Sequence, residues 1–390
     1  MKSSKGPQVL ENWLAYSGKE YESLHISEYP LYSDARVTGE ETVKYKPYAF
    51  LNPVPAEEYL GFFQPAIYVR VEYCLEFKVP DMSETDTDAF HGGTLIDEIA
   101  ALVSLALGIR IRAGTCSREF FDKGDPRGRP VGWQRQPDFL NTRYQRLVVP
   151  CAISRPPLES LSPLLRIRSM NSDEANALTK VARSFQKALL VAEEDPALSW
   201  LFLVTSIEKA AEHWKTAGIS KAVILKELKP KLYERLGKFD KRDDIRLIIA
   251  EELFNQLRSQ HKFIEFMLKY LPEPPAKRPP LHGQISWNKD ALRESFATIY
   301  GHRSKALHEG TPFPQPMCDQ PFREREGDKI WYEQPGALGY SCSGGAWSKN
   351  AIPMYLNTFT YIARGALLNW WSGLGNEPEK LEAPKKPNEQ

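Results

Sequence analysis

The chain has 390 residues, 42% of them hydrophobic, and a formal net charge of +1. That is ample apolar material for packed cores, and too balanced a charge to mark the whole protein as a nucleic-acid binder. No apolar stretch reaches the roughly 18 residues of a membrane span, no apolar run follows Met1–Pro7 to make a signal peptide, and five scattered cysteines (Cys74, Cys116, Cys151, Cys318, Cys342) contain no CxxC pair. A reduced, cytoplasmic protein without a disulfide framework or a zinc site is expected.

The elements predict an α+β protein: an N-terminal mixed α/β domain over 1–160, followed by an all-α helical bundle over 170–375 and a polar, disordered tail over 376–390. Ala66–Val79 is rich in β-branched and aromatic residues and reads as strand. A helix is predicted from Thr94 to about Leu107, with Leu95, Ile99, Leu102, Val103 and Ala106 on one face. Ile109–Arg112 and Arg146–Val149 read as further strands, and the proline-rich stretch from Arg155 to Pro163 as a linker.

From Ser172 the pattern turns helical. Ser172 or Asp173 caps a helix that runs to about Glu194. Asp195-Pro196 opens a second, ending near Gly218. A third begins at Ser220 and must break at Pro230. A fourth spans about Asp244 to Leu271, and the proline-rich 271–280 is a stiff connector. The next helix runs from about Asn288 to Glu309, a long glycine- and proline-rich loop covers Thr311 to Asn350, and a last helix extends from Pro353 to Gly373. Loops of that length are commonly functional or mobile.

The segment Ile299–Gly310 carries the chemistry. Leu292, Phe296, Ile299, Arg303 and Ala306 recur at helical spacing, so Arg303 stands in a stripe that should be apolar. A charge there needs a buried partner or a function. His308 lies in the last turn, before Gly310 and Pro312. Arginine grips phosphate bidentately and imidazole moves protons near neutral pH, so the two suit phosphodiester chemistry with no metal or other cofactor. Five residues on an ideal helix is about 500°, leaving the side chains roughly 140° apart. Either the last turn tightens, or each residue serves a groove built with a second helix. The plain alternative is a structural Arg303 satisfied by Glu208 and a surface His308 favouring the helix dipole. Glu208 would orient Arg303 or His308, or else be a solvated face residue beside Lys209 and Glu212. Ser304 would bond a phosphate or its own backbone, and His302 reads as a packed or exposed helical residue.

Tyr300-Gly-His-Arg-Ser-Lys-Ala-Leu-His-Glu-Gly310 resembles the RxxxxH motif of the HEPN superfamily, in particular its ApeA-like branch. Trp200–Glu208 is similar to that branch's early helix, which ends in an acidic residue. The likeness covers roughly Ser172 to Gly375. It departs at Glu309, which stands between His308 and Gly310 where family members often run His-Gly directly. The resemblance implies a metal-independent endoribonuclease whose cleft forms across a homodimer, with catalytic Arg303 and His308 supported by Glu208 and Ser304. It also implies a role in prokaryotic defence, such as abortive infection against phage, or as a toxin. An activating phage component or an inhibitory partner protein would then regulate it. The alternative is a HEPN fold kept as a non-catalytic binding or dimerisation module.

Between Arg110 and Arg146, basic residues interleave with Phe120, Phe121, Trp133, Phe139 and Tyr144. That mixture suits single-stranded nucleic acid, through phosphate contacts and base stacking. Arg127, Arg129, Arg135 and Trp133 are the candidates there, against the alternative of a solvated basic face. No Asp/Glu/His cluster with metal-ligand spacing is visible.

Overall fold

A computed structural model of the chain describes residues 5–18, 25–39, 44–52, 64–75, 83, 85, 87, 89–121, 127–132, 147–214, 220–238, 244–324, 330–336, 339–342 and 344–375. Helices predominate and are joined by a small antiparallel sheet, an α+β composition. Helix α1 (Gln8–Ser17) precedes strands β1 (His25–Ser33), β2 (Tyr48–Leu51) and β3 (Gln64–Tyr73). After α2 (Leu95–Leu107) come the short β4 (Arg112–Ala113), β5 (Arg118–Phe120) and β6 (Arg129–Pro130). The sheet order is β2-β3-β1-β5-β6, with β4 also paired to β1, and every pairing is antiparallel.

β3 alternates as expected: Ile67, Val69 and Val71 are buried while Tyr68 and Arg70 are half-exposed. It ends at Tyr73, where the Cys74 amide donates to Asn12 Oδ1 at 2.8 Å, and residues 76–79 of the predicted strand lie outside the described residues. α2 is buried on nearly every side, because it lies between the sheet and the helical bundle. Thr94 and Asp97 form its capping box, and Gly108 closes it at φ 71°.

The helices of the bundle are α3 (Ser172–Val191), α4 (Pro196–His213), α5 (Lys221–Leu228), α6 (Pro230–Gly237), α7 (Asp244–Glu252), α8 (Phe254–Lys269), α9 (Lys289–His308), the short α10 (Gln315–Cys318) and α11 (Leu356–Ser372). A hairpin of β7 (Gly339–Cys342) and β8 (Gly345–Ser348) precedes α11. Asn171, not Ser172 or Asp173, caps α3: its side chain accepts from the Glu174 amide at 2.9 Å while Glu174 bonds back to the Asn171 amide. Asp195 caps α4 through the Leu198 amide. Pro230 separates α5 from α6, as its missing N–H requires. The predicted fourth helix is two, divided at Leu253.

Three expectations are corrected. The stretch from Arg155 to Pro163 is no loose linker: Leu158–Ser169 forms a 3-10 helix that buries Leu158, Leu161, Leu164 and Ile167. Val148 and Val149 make no strand. Their amides donate to the Glu193 carboxylate at 2.7 and 3.0 Å instead. Of Ile109–Arg112, only Arg112 is strand, while Ile109 and Ile111 are core.

One hydrophobic core runs from α1 and the sheet through α2 and α3 to α4, α8, α9 and α11. Polar contacts sew the same seam: Gln186 Nε2 donates to the Ile111 carbonyl at 2.8 Å, and Arg364 Nε to the Leu105 carbonyl at 3.0 Å. A second, small core holds α5, α7 and the start of α8 around Ile224, Leu225, Ala250 and Leu257. The segment after α9 is anchored as well. Trp200 of α4 stacks between Phe313 and Phe359, with ring centroids 5.3 and 4.7 Å away, and Met317 is fully buried. No helix among the described residues is long and apolar enough to cross a membrane.

Candidate functional site

α9 crosses α4 so that Tyr300 and Arg303, one turn apart on α9, both meet Glu208. The Tyr300 hydroxyl donates to Glu208 Oε1 at 2.9 Å, and Arg303 Nη2 donates to Glu208 Oε2 at 2.8 Å. The guanidinium also lies 5.4 Å from the centroid of the Tyr300 ring, a cation–π contact. The Arg303 and Glu208 side chains keep 21% and 19% of their accessible surface. Glu208 is therefore not a solvated face residue. Burial, and then the Glu208 charge, push the Tyr300 hydroxyl well above its ordinary value of 10, so it stays a proton donor to the carboxylate. Arg303 Nε is buried and has no hydrogen-bond partner. Arg70 Nε and Arg183 Nε are buried without a partner as well, so the open Nε does not by itself mark a site.

The sequence expectation that Arg303 interrupts an apolar stripe holds. Leu292, Phe296 and Ile299 are fully buried on the same line. Tyr300 is the participant that sequence reasoning left without a role. Its signal was the spacing, three residues before Arg303.

His308 is the last residue of α9 and is exposed. The final turn does not tighten: the Glu309 amide donates to the Lys305 carbonyl at 2.8 Å, in the α-helical pattern, and Gly310 then takes φ 67°. Glu309 thus lengthens the approach to the glycine without displacing it from the left-handed cap position. Because α9 stays regular, Arg303 faces α4 while His308 points to another side, and one copy of the helix does not bring them together. His308 has no hydrogen bond or ion pair among the described residues. Leu307, just before it, is 52% exposed. Ser304 is half-buried and likewise makes no hydrogen bond among the described residues. His302 is packed: Nε2 donates to the Ala351 carbonyl at 2.7 Å, and burial lowers its proton affinity below that of an ordinary imidazole.

Of the basic N-terminal stretch, Arg110 is corrected outright. It is 2% exposed and pairs with Asp34, Nε donating to Oδ1 at 3.3 Å and Nη2 contacting Oδ2, so it is part of the core and not a phosphate contact. Arg127 and Arg129 are exposed beside the β5–β6 pairing, where the Arg127 carbonyl accepts from Arg118 Nη1 at 3.0 Å. Trp133 and Arg135 lie outside the described residues. Phe120 is buried under the Arg70 guanidinium, and Phe121 is 70% exposed.

The fold also assembles a group the sequence did not reveal. Glu227 of α5 meets His261 and Glu265 of α8, their donor atoms within 4.8 Å of one another. His261 Nε2 lies 3.1 Å from Glu227, and Arg293 donates to Glu265 at 2.5 Å. These contacts already give each member a partner, so the cluster reads as a polar network between helices. It went unnoticed because Glu227 and His261 are distant in sequence.

No family model matches the chain, and neither a curated protein nor a solved structure matches it.

Proposed function

We propose that the chain is a metal-independent endoribonuclease of the HEPN kind, acting in prokaryotic anti-phage defence or as a toxin. The observation that carries this reading is the Arg303 arrangement: a guanidinium oriented by Glu208 and lying against the Tyr300 ring, on the helix that ends in the exposed imidazole of His308. The ribose 2′-OH attacks the adjacent phosphorus, the O5′ bond breaks, and a 2′,3′-cyclic phosphate forms. An imidazole takes the 2′ proton and an imidazolium supplies one to the leaving O5′. Arg303 stabilises the charge growing on the non-bridging oxygens. DNA lacks the nucleophile.

The regular last turn of α9 separates Arg303 from His308, and a two-fold contact between helix ends supplies both groups to one cleft. The exposed Leu307 beside His308 suits such a contact. Cytoplasmic location and a regulating partner belong to the same proposal. The second reading, a non-catalytic module, is favoured by one fact: Glu208 already neutralises Arg303, as a purely structural ion pair would. The test is incubation of the purified protein with single-stranded RNA, with analysis of the ends. Cyclic-phosphate products from a sedimenting dimer support the ribonuclease. Intact RNA with a stable dimer, both alone and with extract of phage-infected cells added, selects the module, and cleavage by a strict monomer removes the shared cleft.

A further inference from the structure

We infer that two joined clefts flanking the C-terminal half of α4 form a track for the phosphodiester backbone of single-stranded RNA, ending at the Glu208–Arg303 pair. The inference rests on the ribonuclease reading for its choice of polymer. The first cleft, between α4 and α8, encloses about 430 Å³ and is walled by Glu208, Lys209, Glu212, Arg258, Ser259 and Lys262. The second, between α3 and α4, encloses about 360 Å³ and includes Lys180. Lys209 and Glu212 line both, so the clefts meet over α4.

The charge balance favours an anion. Lys180, Lys209, Arg258 and Lys262, which line the clefts, make no ion pair among the described residues. Lys209 is held in place by Ser184, its Nζ donating to Oγ at 2.9 Å. Burial lowers its proton affinity first, and then Lys187 and Lys180 lower it further, so lysines dominate the field at that ammonium. Glu208 is consumed by Arg303 and Tyr300. Glu212 and Asp173 are the other carboxylates along the clefts, and Asp173 has a partner of its own. His213 is the one aromatic ring among the residues that line the clefts, so the surface offers mainly phosphate contacts. The α4–α8 cleft is closed on one side by the same carboxylate that holds Arg303. Arg303 does not line the cleft and lies behind that carboxylate, 2.8 Å from its Oε2, so a strand lying in the cleft ends at the pair.

The test uses the full chain carrying His308→Ala, to prevent cleavage, and a labelled oligo(U) RNA of about 20 nucleotides. Binding is followed by anisotropy from about 0.05 to about 0.2 M salt. Replacing Lys209, Arg258 and Lys262 with Ala should weaken binding at low salt by at least tenfold. It should flatten the slope of log K against log salt by about 2, at roughly 0.7 per lost single-strand phosphate contact. The Arg258→Ala/Lys262→Ala pair, which leaves the half-buried Lys209 in place, should remove about 1.4 of that slope. Replacing the exposed Lys231, Lys238 and Lys289 with Ala should leave it unchanged. An unchanged slope in the cleft variants, or equal loss in the control, overturns the track. Displacement of the RNA by poly-glutamate of equal charge overturns the RNA assignment. Cleft-dependent binding without cleavage by the unmodified protein, both alone and with extract of phage-infected cells added, supports the track and sinks the ribonuclease reading, whereas cleavage with an unchanged slope sinks the track alone.

Discussion

Replacing Arg303 with Ala separates the catalytic role proposed for this residue from its structural one. The substitution removes the 2.8 Å donor from Glu208 Oε2 and leaves the carboxylate with Tyr300 alone among its hydrogen-bond donors. Breaking a fully buried ion pair costs about 3–5 kcal/mol, while a fully exposed one contributes at most about 1 kcal/mol. Side chains that retain 21% and 19% of their surface lie between these limits. The expected loss is therefore about 2 kcal/mol. At roughly 2.1 cal/mol/K of unfolding entropy per residue, that moves the melting temperature of so long a chain by only about 2–3 °C. The assay is urea unfolding of wild type, Arg303→Ala, Glu208→Gln and the double variant. The coupling energy should be about 1–2 kcal/mol. RNA cleavage by Arg303→Ala should fall about 10²–10³-fold, in kcat more than in KM. A coupling energy below about 0.3 kcal/mol would refute the reasoning, because Glu208 would then not be holding Arg303.

His308→Ala should abolish cleavage while leaving stability within about 0.5 kcal/mol, since the side chain is exposed and makes no described contact; a folded variant that still degrades RNA at the wild-type rate contradicts the mechanism. Cleavage should persist in EDTA and spare single-stranded DNA of the same sequence, and loss on chelation with recovery on adding Mg²⁺ would show metal-dependent chemistry. His302 has its folded-state proton affinity lowered by burial from the ordinary 6.5, so the unfolded chain binds its proton first. Stability should therefore fall as pH drops from about 6.5 toward the lowered value and level off above it. His302→Gln, which keeps a donor for the Ala351 carbonyl, should flatten that fall between about pH 7.5 and about pH 5.5 in urea titrations. Arg110→Met should cost about 3–5 kcal/mol by taking the guanidinium from the buried Asp34 charge, with RNA affinity per folded molecule unchanged.

Sequence alone determined much of the helical framework. Proline, acidic caps and apolar spacing are local signals, so the starts of α2 and α4, the break at Pro230 and the span of α9 were readable within a few residues. The anomaly of Arg303 in an apolar stripe was readable too, because burial of that face follows from periodicity. Tertiary structure decided the rest. Arg303 is held by Glu208, 95 residues earlier in the chain, and by Tyr300 on its own helix; which carboxylate meets a guanidinium depends on how α4 and α9 cross. The strand expected at Val148–Val149 was lost because a distant carboxylate, Glu193, supplies acceptors that a neighbouring strand would otherwise provide. The proline-rich stretch from Arg155 to Pro163 looked like a linker because proline suppresses regular helix. Leu158 and Leu161 had apolar surface to bury, and the bundle gave it a partner. Arg110 looked like a phosphate contact for the same kind of reason: charge is visible in sequence, whereas the buried Asp34 that neutralises it becomes its neighbour only once the chain has folded.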